Sequence, residues 1–151
     1  MRMSLLRAPK APDPECDMGV HRFSYVLLPH FGTYNYADVV HAAYAHNAPL
    51  RSAMIEPTAG PLTQLDPLVT CDERNIVIET VKKAEDSDDL IVRLYECHNS
   101  RGHAELFCIN APSEAVLCDL EENEIADLEV QDGLVQFSFK PFEILTIKLK
   151  V

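Results

Sequence analysis

The second half of the chain constrains the fold most. From Asn75 to Val151 it breaks into six short apolar segments, "NIVIETVKKAE", "DLIVRLYECH", "GHAELFCI", "EAVLCDL", "GLVQFSFK" and "FEILTIKLKV". Each is rich in Val, Ile, Leu or Phe, and turn residues separate them, which is the pattern of an antiparallel meander of short strands. The connections are legible too. Glu85 to Asp89 reads as an acidic turn, His98-Asn99-Ser100-Arg101-Gly102 as a hairpin loop, and Asp132-Gly133 as a tight turn that needs positive φ. In the last two segments Leu134, Val135, Phe137, Phe139, Phe142, Ile144, Leu145, Ile147 and Leu149 supply alternating apolar positions. One face of each strand therefore meets a core, and each buried side chain contributes about 1.5–3 kcal/mol. The expected fold is mainly β, an antiparallel β-sandwich of two stacked sheets, with one short helix.

That helix is "ADVVHAAYAH", residues 37–46, where Val40, Ala43 and Tyr44 recur at helical spacing and Asn47-Ala48-Pro49 supplies a stop. Earlier, "HRFSYVLL" (His21 to Leu28) alternates large apolar and polar side chains until Pro29, the pattern of a strand with a buried face. Residues 51–70 carry Pro57, Gly60, Pro61 and Pro67 with little periodicity and read as a long connection. At 151 residues, 47% hydrophobic and 25% charged, the chain has the makings of one globular domain.

A formal net charge of -11 repels phosphate backbones and anionic lipid headgroups, so nucleic acid and membrane surfaces are poor partners. No run approaches the roughly 20 apolar residues of a spanning helix. Lys10 and Asp13 follow closely on Leu5 and Leu6, so the start lacks the apolar stretch of an export signal. Five cysteines (16, 71, 97, 108 and 118) without CxxC spacing read as free thiols, and a cytoplasmic location is expected.

Catalytic motifs are missing from this sequence. It contains no HExxH, and of six histidines only His41 and His46 share the helix, at a spacing of five that puts them on different faces. There is no GxSxG elbow, phosphate loop or GxGxxG fingerprint. A sugar hydrolase needs two carboxyls about 5–9.5 Å apart. The acidic clusters Glu85-Asp86 with Asp88-Asp89, and Glu121-Glu122 with Glu124, fall in turns and read as solvated charge. No catalytic residue and no metal ligand is therefore expected within the chain. The unusual stretch is the first thirty residues, where Arg7, Asp13, Asp17 and His21 are held among Pro9, Pro12 and Pro14 in a stiffened polar loop suited to positioning.

These residues carry a resemblance. "LLRAPKAPDPECDMGVHRFSYVLLPH" followed by "VVHAAYAHNAPL" resembles the C-terminal portion of glycoside hydrolase family 38 α-mannosidases, closest to the cytosolic type. "NIVIETVKKAEDSDDLIVRLYE", "AVLCDLEENE" and "FSFKPFEILTIKL" resemble that family's closing β domain, in the expected order. The resemblance implies a C-terminal β-sandwich region spanning 1–151, either undivided or split into an interface segment, 1–70, and a closing β subdomain, 71–151. It implies that zinc or another divalent metal, its ligands and the carboxylate nucleophile belong to a catalytic (β/α) barrel outside this chain. Retention of anomeric configuration through a mannosyl-enzyme intermediate is implied for the intact enzyme.

The partners so implied are that barrel, a helical bundle and a mannosyl oligosaccharide substrate, with room for a homo-oligomer. The position of Arg7 resembles an arginine that leans toward the sugar, where a planar fork of donors suits hydroxyls. Asp17 and His21 match a "DxGxH" pattern, Asp17-Met18-Gly19-Val20-His21, and are expected to be structural supports around a turn at Gly19. Because Met1 sits directly at the motif, strands that precede it in the family are expected to be missing, leaving an edge or apolar patch for a partner or a longer gene product to cover. Two alternatives compete with a silent bracing domain. One is a stand-alone carbohydrate-binding or protein-interaction β-sandwich, whose candidate platforms are Tyr34 and Tyr36. The other is a complete small enzyme built from distant acids and histidines.

Overall fold

A computed structural model describes residues 3–54, 56 and 67–150 of the chain. Among them, one helix precedes eight strands: α1 (Val39–Asn47), β1 (Val69–Cys71), β2 (Ile76–Lys83), β3 (Leu90–Glu96), β4 (Gly102–Cys108), β5 (Glu114–Cys118), β6 (Glu124–Gln131), β7 (Leu134–Phe139) and β8 (Ile144–Lys150). The mainly β, antiparallel fold with one short helix is as expected, and all six apolar segments are strands.

The topology departs from a meander of two separate sheets. The strands form one antiparallel sheet in the order β1-β4-β7-β6-β5-β8-β3-β2. Only β2-β3, β5-β6 and β6-β7 are both consecutive and paired. The fold-over happens within β6: its residues up to Leu128 pair with β5, whereas Glu129 to Gln131 pair with β7. The sheet thus closes on its own apolar face, and Val92, Leu94, Leu106, Val135, Phe137, Ile147 and Leu149 share one core with residues from both halves. Strand β6 escaped the sequence reading because its "EIADLEVQ" is acidic and no residue of it is buried. Glu124, expected in a turn, is its first residue.

The fold-over also corrects one connection. His98 to Gly102 is not a hairpin loop, because β3 pairs with β2 and β8 while β4 pairs with β1 and β7. It carries the chain from one half of the sheet to the other, as do the β1–β2 and β7–β8 connections. The other two turns behave as read. Ala84 N–H donates to the Asp89 carbonyl at 2.8 Å across the acidic turn. Asp132 and Gly133 both take positive φ, 52° and 81°, in the two-residue turn between β6 and β7. A Cβ at Gly133 would also press to 3.1 Å from that of Ala111, so glycine is doubly required.

The N-terminal third is different in kind. None of the described residues before Asn75 is buried. His21 to Leu28 is no strand: it runs extended without a ladder, because no strand lies beside it among the described residues. The helix runs from Val39 to Asn47, two residues later at its start and one at its end than read, and Asp38 before it takes a φ of 55°. Most of the 51–70 connection lies outside the described residues, and its end belongs to β1.

Energetics therefore divide along the chain. Ile147→Ala empties a fully buried site and should lower unfolding free energy by about 2–5 kcal/mol in urea titration. Phe23→Ala, at a side chain 55% exposed, should leave the midpoint of the isolated chain unchanged.

Candidate functional site

The turn singled out in the sequence is built locally. Lys10 Nζ donates to the Pro14 carbonyl, Glu15 N–H to Asp13 Oδ1 at 2.9 Å, and Cys16 and Met18 N–H close successive turns on Asp13 and Glu15. Asp17 takes a φ of 54°, and its carbonyl lies 2.6 Å from His21 Nε2. Gly19 takes a φ of 136°, closed to most side chains, and with it the chain turns back toward His21. Asp17 and His21 are thus in contact through backbone and ring, while among the described residues the Asp17 carboxylate accepts only from the Cys16 thiol, at 3.3 Å. Arg7 is exposed, and among the described residues its side chain contacts neither of them by hydrogen bond or ion pair.

The helix carries a polar seam onto the sheet. Arg74 reaches Asp38 at 3.5 Å, and His41 Nε2 lies 2.9 Å from the Arg74 carbonyl. Further along, Tyr95 donates to Tyr44 Oη at 3.3 Å, and the Tyr34 ring meets His98 edge-on with centroids 6.0 Å apart. Burial, then the Tyr44 contact, pushes the Tyr95 phenol well above its usual range. These exposed contacts orient the helix at little net gain each.

Beneath this seam sits the residue that sequence reasoning missed. Glu96 is fully buried at the end of β3. Its Oε1 accepts from Asn75 Nδ2 at 3.0 Å, His98 N–H at 2.7 Å and Ser100 Oγ at 3.1 Å, and its Oε2 accepts from Phe142 N–H at 2.9 Å. Burial raises its pKa, but the donors from Phe142, Asn75, His98 and Ser100 outweigh burial and bring it from the usual 4.5 down to about 2. A signal was present: Val92, Leu94 and Glu96 lie at alternate positions of one strand, so Glu96 is forced inward with them.

A second acid expected in solvent is buried as well. Glu122 takes a φ of 70° and accepts from Glu85 N–H at 2.9 Å, with Lys82 Nζ at 2.9 Å and Arg93 at 3.7 Å. The Glu85 amide first, then Lys82, lowers its pKa. It pins the β5–β6 loop to the β2–β3 hairpin. Both buried acids are thus engaged by donors or cations of the fold itself.

All five cysteines are free, and burial pushes Cys71 up to about 11 and raises Cys97, Cys108 and Cys118. Among the described residues no three His, Cys, Asp or Glu side chains converge as a metal-binding group. Among the described residues no helix is long and apolar enough to cross a membrane.

Comparison with known proteins gives this geometry a context. Residues 75–147 match the model of the glycosyl hydrolases family 38 C-terminal beta sandwich domain. Alpha-mannosidase 2C1 of Homo sapiens is 40% identical over 154 aligned residues, covering 99% of this chain and 15% of the relative, and the Mus musculus protein matches to the same extent. Alpha-mannosidase G of Dictyostelium discoideum is 31% identical over 97% of this chain and 14% of its own length. The chain spans about 15% of the length of these two alpha-mannosidase 2C1 relatives.

The Glu96 clasp predicts an acid limb in stability. Because its folded pKa is depressed, the stabilisation is complete above about 4.5 and is lost as pH falls from there toward 2. Thermal melts from pH 7 to 2.5 should show that loss. Glu96→Gln, which turns one acceptor into a donor facing donors, should cost about 2–4 kcal/mol at pH 7 and flatten the acid limb.

Proposed function

The chain belongs to glycosyl hydrolase family 38, as its C-terminal β-sandwich domain, and we propose that it completes a cytoplasmic, retaining α-mannosidase whose catalytic barrel lies in polypeptide outside it. The observation that carries this reading is the alignment of nearly the whole chain with a small fraction of each α-mannosidase relative. A second observation gives the domain its task. The described residues before Asn75 bury nothing yet present Val20, Phe31, Tyr36, Leu50 and Met54 to solvent, an apolar load that a folded neighbour would cover. The sandwich braces the barrel, and residues 3–54 form the layer between them.

In this reading the terminal α-mannosyl substrate is bound mainly by the barrel, and the divalent metal is held there as well. The chain's own contribution is Arg7, free of partners among the described side chains and set at the head of the turn. Its guanidinium fork suits the hydroxyls of a sugar bound next to this face. Asp17 and His21 hold the turn that carries it, through the His21 ring on the Asp17 carbonyl. The domain by itself is catalytically silent.

The test is complementation. The isolated chain, given an aryl α-mannoside with zinc or cobalt, should show no turnover. Mixed with human Alpha-mannosidase 2C1 truncated to remove the matching region, it should restore activity. Arg7→Ala should lower kcat/KM of the reconstituted enzyme by about 10- to 100-fold without weakening association. Sustained turnover by purified chain alone would overturn the proposal.

A further inference from the structure

The segment from His21 to Leu28 has the sequence of a strand and runs without helix, turn or bend, but it has no ladder. Among the described residues no backbone–backbone hydrogen bond involves any position from 19 to 32. No proline interrupts Glu15 to Leu28, so every residue there keeps its N–H donor, and Pro29 marks the end.

The segment is nonetheless held in place. Ser24 Oγ pairs with His46 Nε2 at 3.0 Å, and Ser24, Val26 and Leu28, with Tyr25 between them, line a cleft of about 250 Å³ against Val39 and His46 of the helix. Phe23 and Leu27, outside that cleft, stand 55% and 64% exposed, and Tyr25 and Val26 at its rim are exposed to a similar degree. A chain free of turns over eight residues, anchored to a helix, rich in exposed apolar side chains and unpaired along its backbone among the described residues presents what strand addition requires. Main-chain groups supply affinity, and alternate side chains supply register.

We infer that residues 21–28 add as a β-strand to a sheet contributed by the remainder of the α-mannosidase polypeptide, placing Phe23 and Leu27 in its core. The inference rests on the domain reading above and makes it specific: the interface is a backbone ladder and not side-chain contact alone. The roughly 85% of each relative that this chain does not span supplies the partner. A second copy of this chain is the competing occupant, and it would bring two charges of -11 together.

Amide hydrogen exchange separates the outcomes. The probe is human Alpha-mannosidase 2C1 truncated to lack the matching region, mixed with the intact 151-residue chain. In the isolated chain, amides 22–28 should exchange at near-unfolded rates while those of β3 and β8 stay protected. In the complex, amides of 22–28 should slow by at least about 100-fold. Val26→Pro, which removes a donor that bonds to nothing in the isolated chain, should leave its melting unchanged and weaken association by about 100-fold.

Association with 22–28 still exchanging freely would overturn the strand while leaving the domain reading intact. Absence of any association would contradict both. Protection that appears in the isolated chain as its concentration rises would assign the strand to a second copy and overturn the stated partner.

Discussion

Four hydrogen bonds to one buried carboxylate decide how this chain closes. Glu96 stands where β3 leaves the sheet, and its donors come from the β1–β2, β3–β4 and β7–β8 connections. Those are three connections that carry the chain between the halves of a sheet folded on itself. A charge taken out of water without partners is costly. Fully satisfied, it fastens three loops that share no sequence neighbourhood. The apolar core drives the halves together without preferring one path for the connections, and the clasp supplies that preference.

The same accounting explains why the first part of the chain has another role. From Asn75 onward apolar side chains meet across the fold, and what polar groups are buried, such as Glu96 and Glu122, are paired. Before Leu68 the described residues are helix, turn and extended backbone without a core, and their polar links to the sandwich are exposed: Arg74 with Asp38, His41 with a carbonyl, Tyr44 with Tyr95. Such links orient a segment but stabilise it weakly. An apolar surface carried on a weakly attached layer is what a domain needs when it sits against a larger neighbour, and α-mannosidase relatives some six to seven times longer provide one.

How far the sequence discloses this follows from the range of each interaction. Strands with one buried face announce themselves by period two, and Leu145, Ile147 and Leu149 did so. Strand β6 did not, because the corner strand of a folded-over sheet is half solvated on both faces and its Ile125 points outward. Local contacts were legible: Asp17 and His21, four residues apart, do meet. Long-range partners were not, so the roles of Glu96 and Glu122 depended on loops distant in sequence. At residues 21–28 the pattern of a strand is present without the strand, because a ladder is a property of two segments and no second one pairs with it among the described residues.

The central claim is that the sandwich from Leu68 onward is a self-sufficient fold to which the earlier residues add a surface and not stability. Equilibrium urea unfolding of residues 68–151, beside the full chain, tests it most directly. Midpoints within about 1 kcal/mol of each other in extrapolated free energy, with a single cooperative transition in both, are the predicted result. A shortened chain that is unfolded in buffer, or that loses several kcal/mol, would show that the first third belongs to the folding unit and would contradict the account.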